Sequence, residues 1–407
     1  MQTPAEQRTA EQRTILVTCP KALPPFLRAE LTALGLPARE LAAGVETTGD
    51  MHTAMRLNLA LRTGHRVLSE LARFRADDPT ALGRELFRLP WEEIIPVDGH
   101  LTVDSSVQND FVNDGRFANQ KAKDAIVDRI QEQKGRRPNS GPDPVGACVF
   151  LHWRGSDVTV YLDTTGAPLT RRGYRKMPHL APLQESLAAG IILATNWASR
   201  HDAQAEHFLS PMCGSGTLAI EAALLGLGRA PGLLRPDFAF RHLLGFDEAA
   251  YEDLRRELHA QARKTLPRRI LASDNDPEAV EAARQNARTA GVEDHIEFSV
   301  ADFRETLVPE GPGVCVLNPE YGERMGDAGQ LAETYAAIGD FFKQRLSGWR
   351  GYVFTGNAEL AKRVGLKPKR RIPFYNAKIE CRLLEFELYQ GSRRPPRDNG
   401  GAESAQG

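Results

Sequence analysis

A chain of 407 residues is too long for one ordinary hydrophobic core, which predicts two or three domains. Its 52 Lys and Arg nearly cancel its 53 Asp and Glu, so global charge speaks neither for nor against a nucleic-acid partner, and the distribution of charge has to decide. Five scattered cysteines form no CxxC pair and no Cys/His cluster, which argues against a structural zinc and fits a reducing cytoplasm, and no apolar run reaches the roughly 18 to 20 residues of a membrane span.

The opening "MQTPAEQRTAEQRT" is polar and lacks the apolar core of a signal peptide. Residues 1–13 are expected to be a disordered tail, as are residues 392–407 at the other end. "TILVTCP" (Thr14–Pro20) reads as a strand, and "PPFLRAELTALGL" as an amphipathic helix ending near Gly35. "HTAMRLNLALRTGHRVLSELARF" supplies a helix and a strand, closing a small α+β module over 14–70. In the next module, 71–167, a helix at "PTALGRELF" precedes a strand from Leu101. "NQKAKDAIVDRIQEQKG" is a helix with Ala122, Ile126, Val127 and Ile130 on one face, and "GACVFLHWRGSDVTVYLDTTG" a hairpin turning at Gly155-Ser156.

A linker and a strong helix, Ala181 to Trp197, fill 168–200. From 201 to 391 strands and helices alternate, the pattern of right-handed βαβ units on a parallel sheet. "RRIPFYNAKIECRLLEFELY" joins two strand-like runs at Asn376-Ala377, so the sheet should end in an antiparallel hairpin.

The chemistry-bearing residues fall at successive strand ends. "SPMCGSGTLAIEAAL" sets Gly214 and Gly216 between strand and helix, where glycine lets the backbone approach a ligand. A dinucleotide fold places its ribose acid about 20 residues after the glycines. Here the next strand ends at Asp274, and 274 − 216 = 58, which disfavours a nicotinamide-dependent dehydrogenase. Asp274 can accept from both hydroxyls of a ribose, whereas Asp276 before Pro277 suits a helix N-cap. At the third strand end, Asp302 suits an adenine amino group and Phe303 its ring, although a loop acid and a core Phe read equally well. Glycine turn, ribose acid and adenine acid in sequence suggest S-adenosylmethionine, with candidate contacts at Ser210, Met212, Gly214, Gly216, Thr217, Asp274, Asn275, Asp302 and Phe303.

The fourth strand ends in "NPEYGER". An exocyclic amino group is a poor nucleophile because its lone pair is delocalised into the ring. The Asn318 side-chain oxygen and the Pro319 carbonyl could accept its two hydrogens and turn the lone pair outward, while Tyr321 could stack on an extruded base.

These stretches resemble the class I amino-N methyltransferases, whose pattern is Asn/Asp-Pro-Pro-Tyr/Phe. Together with "YLDTTGAPLTRRGYR", "APGLLR" and "KIECRLLEFELY", they are similar to the THUMP-domain guanine-N2 methyltransferases of rRNA and tRNA. The resemblance implies a Rossmann-like α/β domain with a seven-stranded, mostly parallel sheet, preceded by ferredoxin-like and THUMP modules. It implies a cytoplasmic enzyme forming N2-methylguanosine in 23S rRNA. The alternatives are a tRNA substrate, or a catalytically weakened RNA-binding assembly factor that keeps the fold. Two departures stand out: Glu320 replaces the second proline of the pattern, and Ser210 replaces an aspartate.

Local charge locates the RNA. Residues 111–176 hold 12 Lys and Arg against 7 Asp and Glu, a difference of +5. "KGRRPNSG" and "RRGYRK" are the dense points, so Lys134, Arg136, Arg137, Arg171, Arg172 and Arg175 are the expected phosphate contacts. RNA is the expected partner, as rRNA or tRNA, with no DNA, membrane or metal.

Overall fold

The computed structural model describes residues 11–112, 114–177, 183–197, 204–321 and 328–389. The expected tails lie mostly outside these residues, as do Gly322 to Arg324 of the "YGER" stretch and the expected helix start at Ala181.

The first module runs β1 (Arg13–Thr18), α1 (Pro24–Ala33), β2 (Arg39–Leu41), β3 (Gly44–Gly49), α2 (Met51–Ala60) and β4 (Arg66–Arg75). Pro24 occupies the first helical position of α1, where its missing N–H costs nothing, and Asp50 caps α2 by accepting from Thr53 N. The β2–β3 hairpin carries no clean alternation and is not legible in the sequence.

The second module runs α3 (Pro79–Phe87), β5 (His100–Gln108), α4 (Gly115–Lys134), β6 (Asn139–Ser140), β7 (Ala147–Arg154) and β8 (Asp157–Asp163). The buried face of α4 is Ala118, Ala122, Ile126, Val127 and Ile130, the stripe read from periodicity plus one more residue. Both modules share a single eight-stranded sheet, in the order β2-β3-β1-β4-β8-β7-β5-β6. Residue 70, taken as a boundary, lies inside β4, which pairs with β1 on one side and β8 on the other. Their cores remain distinct. The α3–α4 layer packs on Trp91, Leu101, Leu151 and Trp153, whereas the first module's Ile15, Leu27 and Leu57 belong to a core that continues into the third domain.

That continuity runs through α5 (Glu185–Thr195), a helix buried on almost every side. The third domain then follows as β9 (His207–Ser210), α6 (Thr217–Gly226), α7 (Glu248–Ala260), β10 (Ile270–Asp274), α8 (Pro277–Thr289), β11 (Ile296–Val300), β12 (Gly313–Leu317), α9 (Ala328–Arg345), β13 (Arg350–Thr355), α10 (Ala358–Arg363), β14 (Arg370–Asn376) and β15 (Ile379–Glu387). The long insertion before β10 contains α7, which the sequence reading left unassigned. The sheet order is β11-β10-β9-β12-β13-β15-β14. All pairs from β11 to β13 are parallel; β15 is antiparallel to both β13 and β14. The hairpin turns where expected, with Ala377 at φ 53°. None of the described helices is long and apolar enough to cross a membrane.

Candidate functional site

The chain lays down β9, β10 and β11 in one direction across the sheet, then returns to place β12 on the other side of β9. A crevice opens at such a reversal, outside the carboxyl ends of the strands. The glycine turn follows β9 and Asn318 follows β12, so the two motifs flank that crevice.

Gly214 and Gly216 both have positive φ, 51° and 85°. Their roles differ. A Cβ on Gly216 would come within 2.8 Å of Ala283, so glycine there lets α6 lie close to α8. Around Gly214 nothing lies within 4 Å of where a Cβ would stand, which leaves its backbone open to a ligand. No side chain caps α6, so its N-terminus keeps donors for an outside group.

Asp274, at the end of β10, accepts from Gly214 N at 2.9 Å and from Asp276 N at 3.2 Å. The expected ribose acid thus ties two strand ends together and retains lone pairs for a ligand. Asp276 is the N-cap of α8, accepting from Glu278 N. Met212, Asp274, Asn275, Asp302 and Phe303 line one open cleft of about 360 Å³, and Gln330, Glu333 and Thr334 of α9 form a wall that sequence reasoning did not foresee. Asp302 is engaged: Arg304 grips both its carboxylate oxygens at 2.8 Å, and these bonds hold its carboxyl below the usual range. Phe303 is mostly core, standing edge-on to Phe341 at 5.9 Å. Ser210, the last residue of β9, is fully buried, and its hydroxyl has no hydrogen-bond partner.

The Asn318 Oδ1 is also buried without a partner. A buried acceptor left unpaired costs about 1–3 kcal/mol, which makes Asn318 Oδ1 a candidate partner for an outside donor. Pro319 is buried beside it and Glu320 is exposed. Tyr321 is anchored, accepting from Asn376 Nδ2 at 2.9 Å with its ring edge-on to Phe354, and burial pushes its phenol well above the ordinary value.

The two basic runs part company. Lys134, Arg136, Arg137 and Arg171 are exposed, although Arg137 meets Asp128 at 3.2 Å. Arg172 corrects the expectation of a phosphate contact: it is 1% exposed, lies 3.0 Å from Glu221 of α6 and donates to the Arg62 carbonyl. Arg175 is likewise turned inward, donating to the Leu183 carbonyl and to Thr217 Oγ1 at the start of α6. Between them, the Tyr174 hydroxyl donates to Glu221. Lys176 N and Met177 N bond to Asn286 Oδ1, whose amide donates to the Ser215 carbonyl in the glycine turn. Residues 172–177 therefore clasp the turn. One signal could have exposed this: Glu221 sits in a helix otherwise apolar on all sides, and a buried carboxylate needs a buried cation.

Among the described residues no cluster of His, Cys, Asp and Glu is arranged to hold a metal ion, and all five cysteines are free and buried.

Comparison with known proteins divides the chain in three. Residues 14–68 match the RlmL ferredoxin-like domain, 77–163 the THUMP domain, and 172–385 the RMKL-like methyltransferase domain. The ribosomal RNA large subunit methyltransferase K/L of Syntrophotalea carbinolica is 39% identical over 91% of this chain, but the match covers 53% of that protein. The chain spans about half the length of the curated relatives of this kind. A Synechocystis sp. protein carrying an RNA methyltransferase name is 33% identical over 94% of this chain and 98% of its own length. Among solved structures, a protein assigned as a methyltransferase and complexed with SAH superposes with a TM-score of 0.83 at 29% identity, covering 94% of this chain and 100% of that one.

Proposed function

The chain belongs to the RMKL-like methyltransferase family, with ferredoxin-like and THUMP domains in front, and from that premise we propose that it methylates the N2 amino group of a guanine in 23S rRNA in the cytoplasm. The observation that carries the reading is the buried, unpaired Asn318 Oδ1 across the crevice from the glycine turn.

The residues present fit S-adenosylmethionine. Asp274 would take the ribose hydroxyls, the open backbone at Gly214 and the uncapped start of α6 would lie along the methionine end, and the cleft residues Met212, Asn275, Asp302 and Phe303 would surround the adenine. When bound, this cofactor supplies an electrophilic methyl group on a sulfonium. The protein's part is orientation. Asn318 Oδ1 and the Pro319 carbonyl accept the two hydrogens of the guanine amino group and direct its lone pair outward from the ring plane. Tyr321, fixed by Asn376, offers a wall for a base drawn out of its stack. The exposed cations of the second module and Arg171 attract the RNA backbone.

Methyl transfer from labelled cofactor to large-subunit rRNA transcripts tests the reading. Asn318→Ala should lower kcat by about 10²- to 10³-fold, the usual cost of removing an orienting polar group from an active site, with cofactor binding intact. Unchanged kcat refutes the proposal. Product from tRNA alone selects the tRNA alternative. Cofactor binding with product only after Glu320→Pro identifies a weakened enzyme retained as an RNA-binding factor.

A further inference from the structure

The turn Asn318-Pro319-Glu320-Tyr321 lacks the second proline that would stiffen it from within. It is held from outside instead. The hydroxyl of Tyr335, a fully buried residue of α9, donates to the Glu320 main-chain carbonyl at 3.3 Å. That hydroxyl also lies 2.8 Å from Thr355 Oγ1 at the end of β13. Tyr335 has one proton and gives it to Glu320, so Thr355 must be the donor in this second bond. Thr355 Oγ1 in turn accepts from Asn357 N at 3.1 Å. The chain of bonds is therefore directional, and it starts at the N-cap of α10. Burial pushes the Tyr335 phenol up to about 12, so it remains a donor at any physiological pH.

One residue on, Asn376 at the tip of the β14–β15 hairpin donates to the Tyr321 hydroxyl at 2.9 Å. Gly356 lets the pieces meet: a Cβ there would come within 2.8 Å of Ile379 and 2.9 Å of the Tyr321 ring. Helix α9 and the hairpin thus hold consecutive residues of one turn, both from segments that follow it in the sequence.

We propose that Tyr335 and Asn376 are positioning residues for the Asn318–Pro319 pair, bracing residues 320 and 321 from outside in place of the constraint a second proline would impose within the turn. The proposal rests on the methyltransferase reading above. A proline fixes φ of its own residue near −65° by its ring; Tyr335 instead fixes the next peptide, between residues 320 and 321, by its carbonyl. The constraint matters because a displacement of about 1 Å in a reacting group can cost about 10²-fold in rate.

The test uses the full chain, with methyl transfer to rRNA and amide hydrogen exchange over residues 314–321 as separate readouts. Tyr335→Phe should lower kcat by about 10-fold or more, leave KM for the cofactor within about twofold, and speed exchange in the turn. Adding Glu320→Pro should restore most of the lost kcat and slow the exchange again. Asn376→Ala, which leaves the turn's own sequence intact, should act in the same direction. Unchanged kcat and exchange in both single variants overturn the proposal. So does a fall in kcat that Glu320→Pro does not reverse, because a merely structural tyrosine gives that result. If the unaltered chain methylates no RNA, the functional reading falls, and the exchange pattern alone decides whether the brace exists.

Discussion

Two short runs, "KGRR" at 134–137 and "RRGYR" at 171–175, carry nearly the same chemistry and lie within one basic stretch, yet the fold uses them in opposite ways. The first contains the αL glycine, Gly135, that ends α4, and stays in solvent. The second dives under α6, where Arg172 and Arg175 meet Glu221, Glu185 and Thr217. Composition does not separate the runs; the partners do. A cation beside a solvated turn is free to meet phosphate. A cation opposite a carboxylate on an apolar helix is consumed by it.

The largest effect expected from this contrast is on stability. Arg172→Ala leaves Glu221 buried without its cation, and breaking a buried pair from one side costs about 3–5 kcal/mol. Burial already raises the Glu221 carboxyl, and loss of Arg172 should raise it further, so the variant should lose stability relative to the unaltered chain as pH rises. Thermal melting of Arg172→Ala across pH checks this. The double variant Arg172→Met/Glu221→Leu should recover most of the loss. A single variant as stable as the unaltered chain would return Arg172 to the RNA surface.

Next comes the cofactor. Arg175→Gln removes the donor that pins Thr217 at the start of α6, so the glycine turn should loosen. Calorimetric titration should show S-adenosylmethionine binding weakened about tenfold, which is about 1.4 kcal/mol. RNA affinity should not move. The reverse pattern, with RNA affinity lost and cofactor affinity kept, would make Arg175 a phosphate contact after all.

The contrast also explains what the sequence could reveal. The parallel part of the sheet was legible because β9, β10, β12 and β13 are buried on both faces and alternate with helices, a pattern set by local burial. The strand-end positions of Gly214, Asp274 and Asn318 were legible because each stands where an apolar run stops. What failed depends on distant partners. Glu221 lies 49 residues from Arg172, and Asn286 lies 109 from Met177. No window of sequence contains both ends of such a bond. The β2–β3 hairpin failed for another reason: it is short, and its exposed first strand shows no apolar alternation. Asp302 looked free because its neighbour Arg304 could equally have pointed into solvent; the fold instead closes the pair.

On the exposed run the effects should be smaller and should depend on salt. Lys134→Gln with Arg136→Gln removes two exposed cations, leaving melting unchanged and lowering the slope of log K against log salt by about 1.4 to 1.8. An unchanged slope would detach "KGRR" from the RNA altogether.

Arg137 gives the smallest and sharpest case, because it belongs to the exposed run but already has an acid, Asp128, at 3.2 Å. Both side chains are more than half exposed, 54% and 57%, so the pair contributes less than about 1 kcal/mol and should yield to a phosphate. To reach that phosphate Arg137 has to leave Asp128, which offsets part of the gain. Arg137→Gln should therefore weaken RNA binding by less than about twofold, and Asp128→Asn should strengthen it by a similar factor. The second effect should vanish when Arg137 is already Gln, since there is then no cation to release. If Asp128→Asn strengthens binding equally in both backgrounds, the aspartate acts on the RNA directly by repulsion. If Arg137→Gln costs as much as Lys134→Gln, the pair is absent in the complex and all three cations of the run are equivalent.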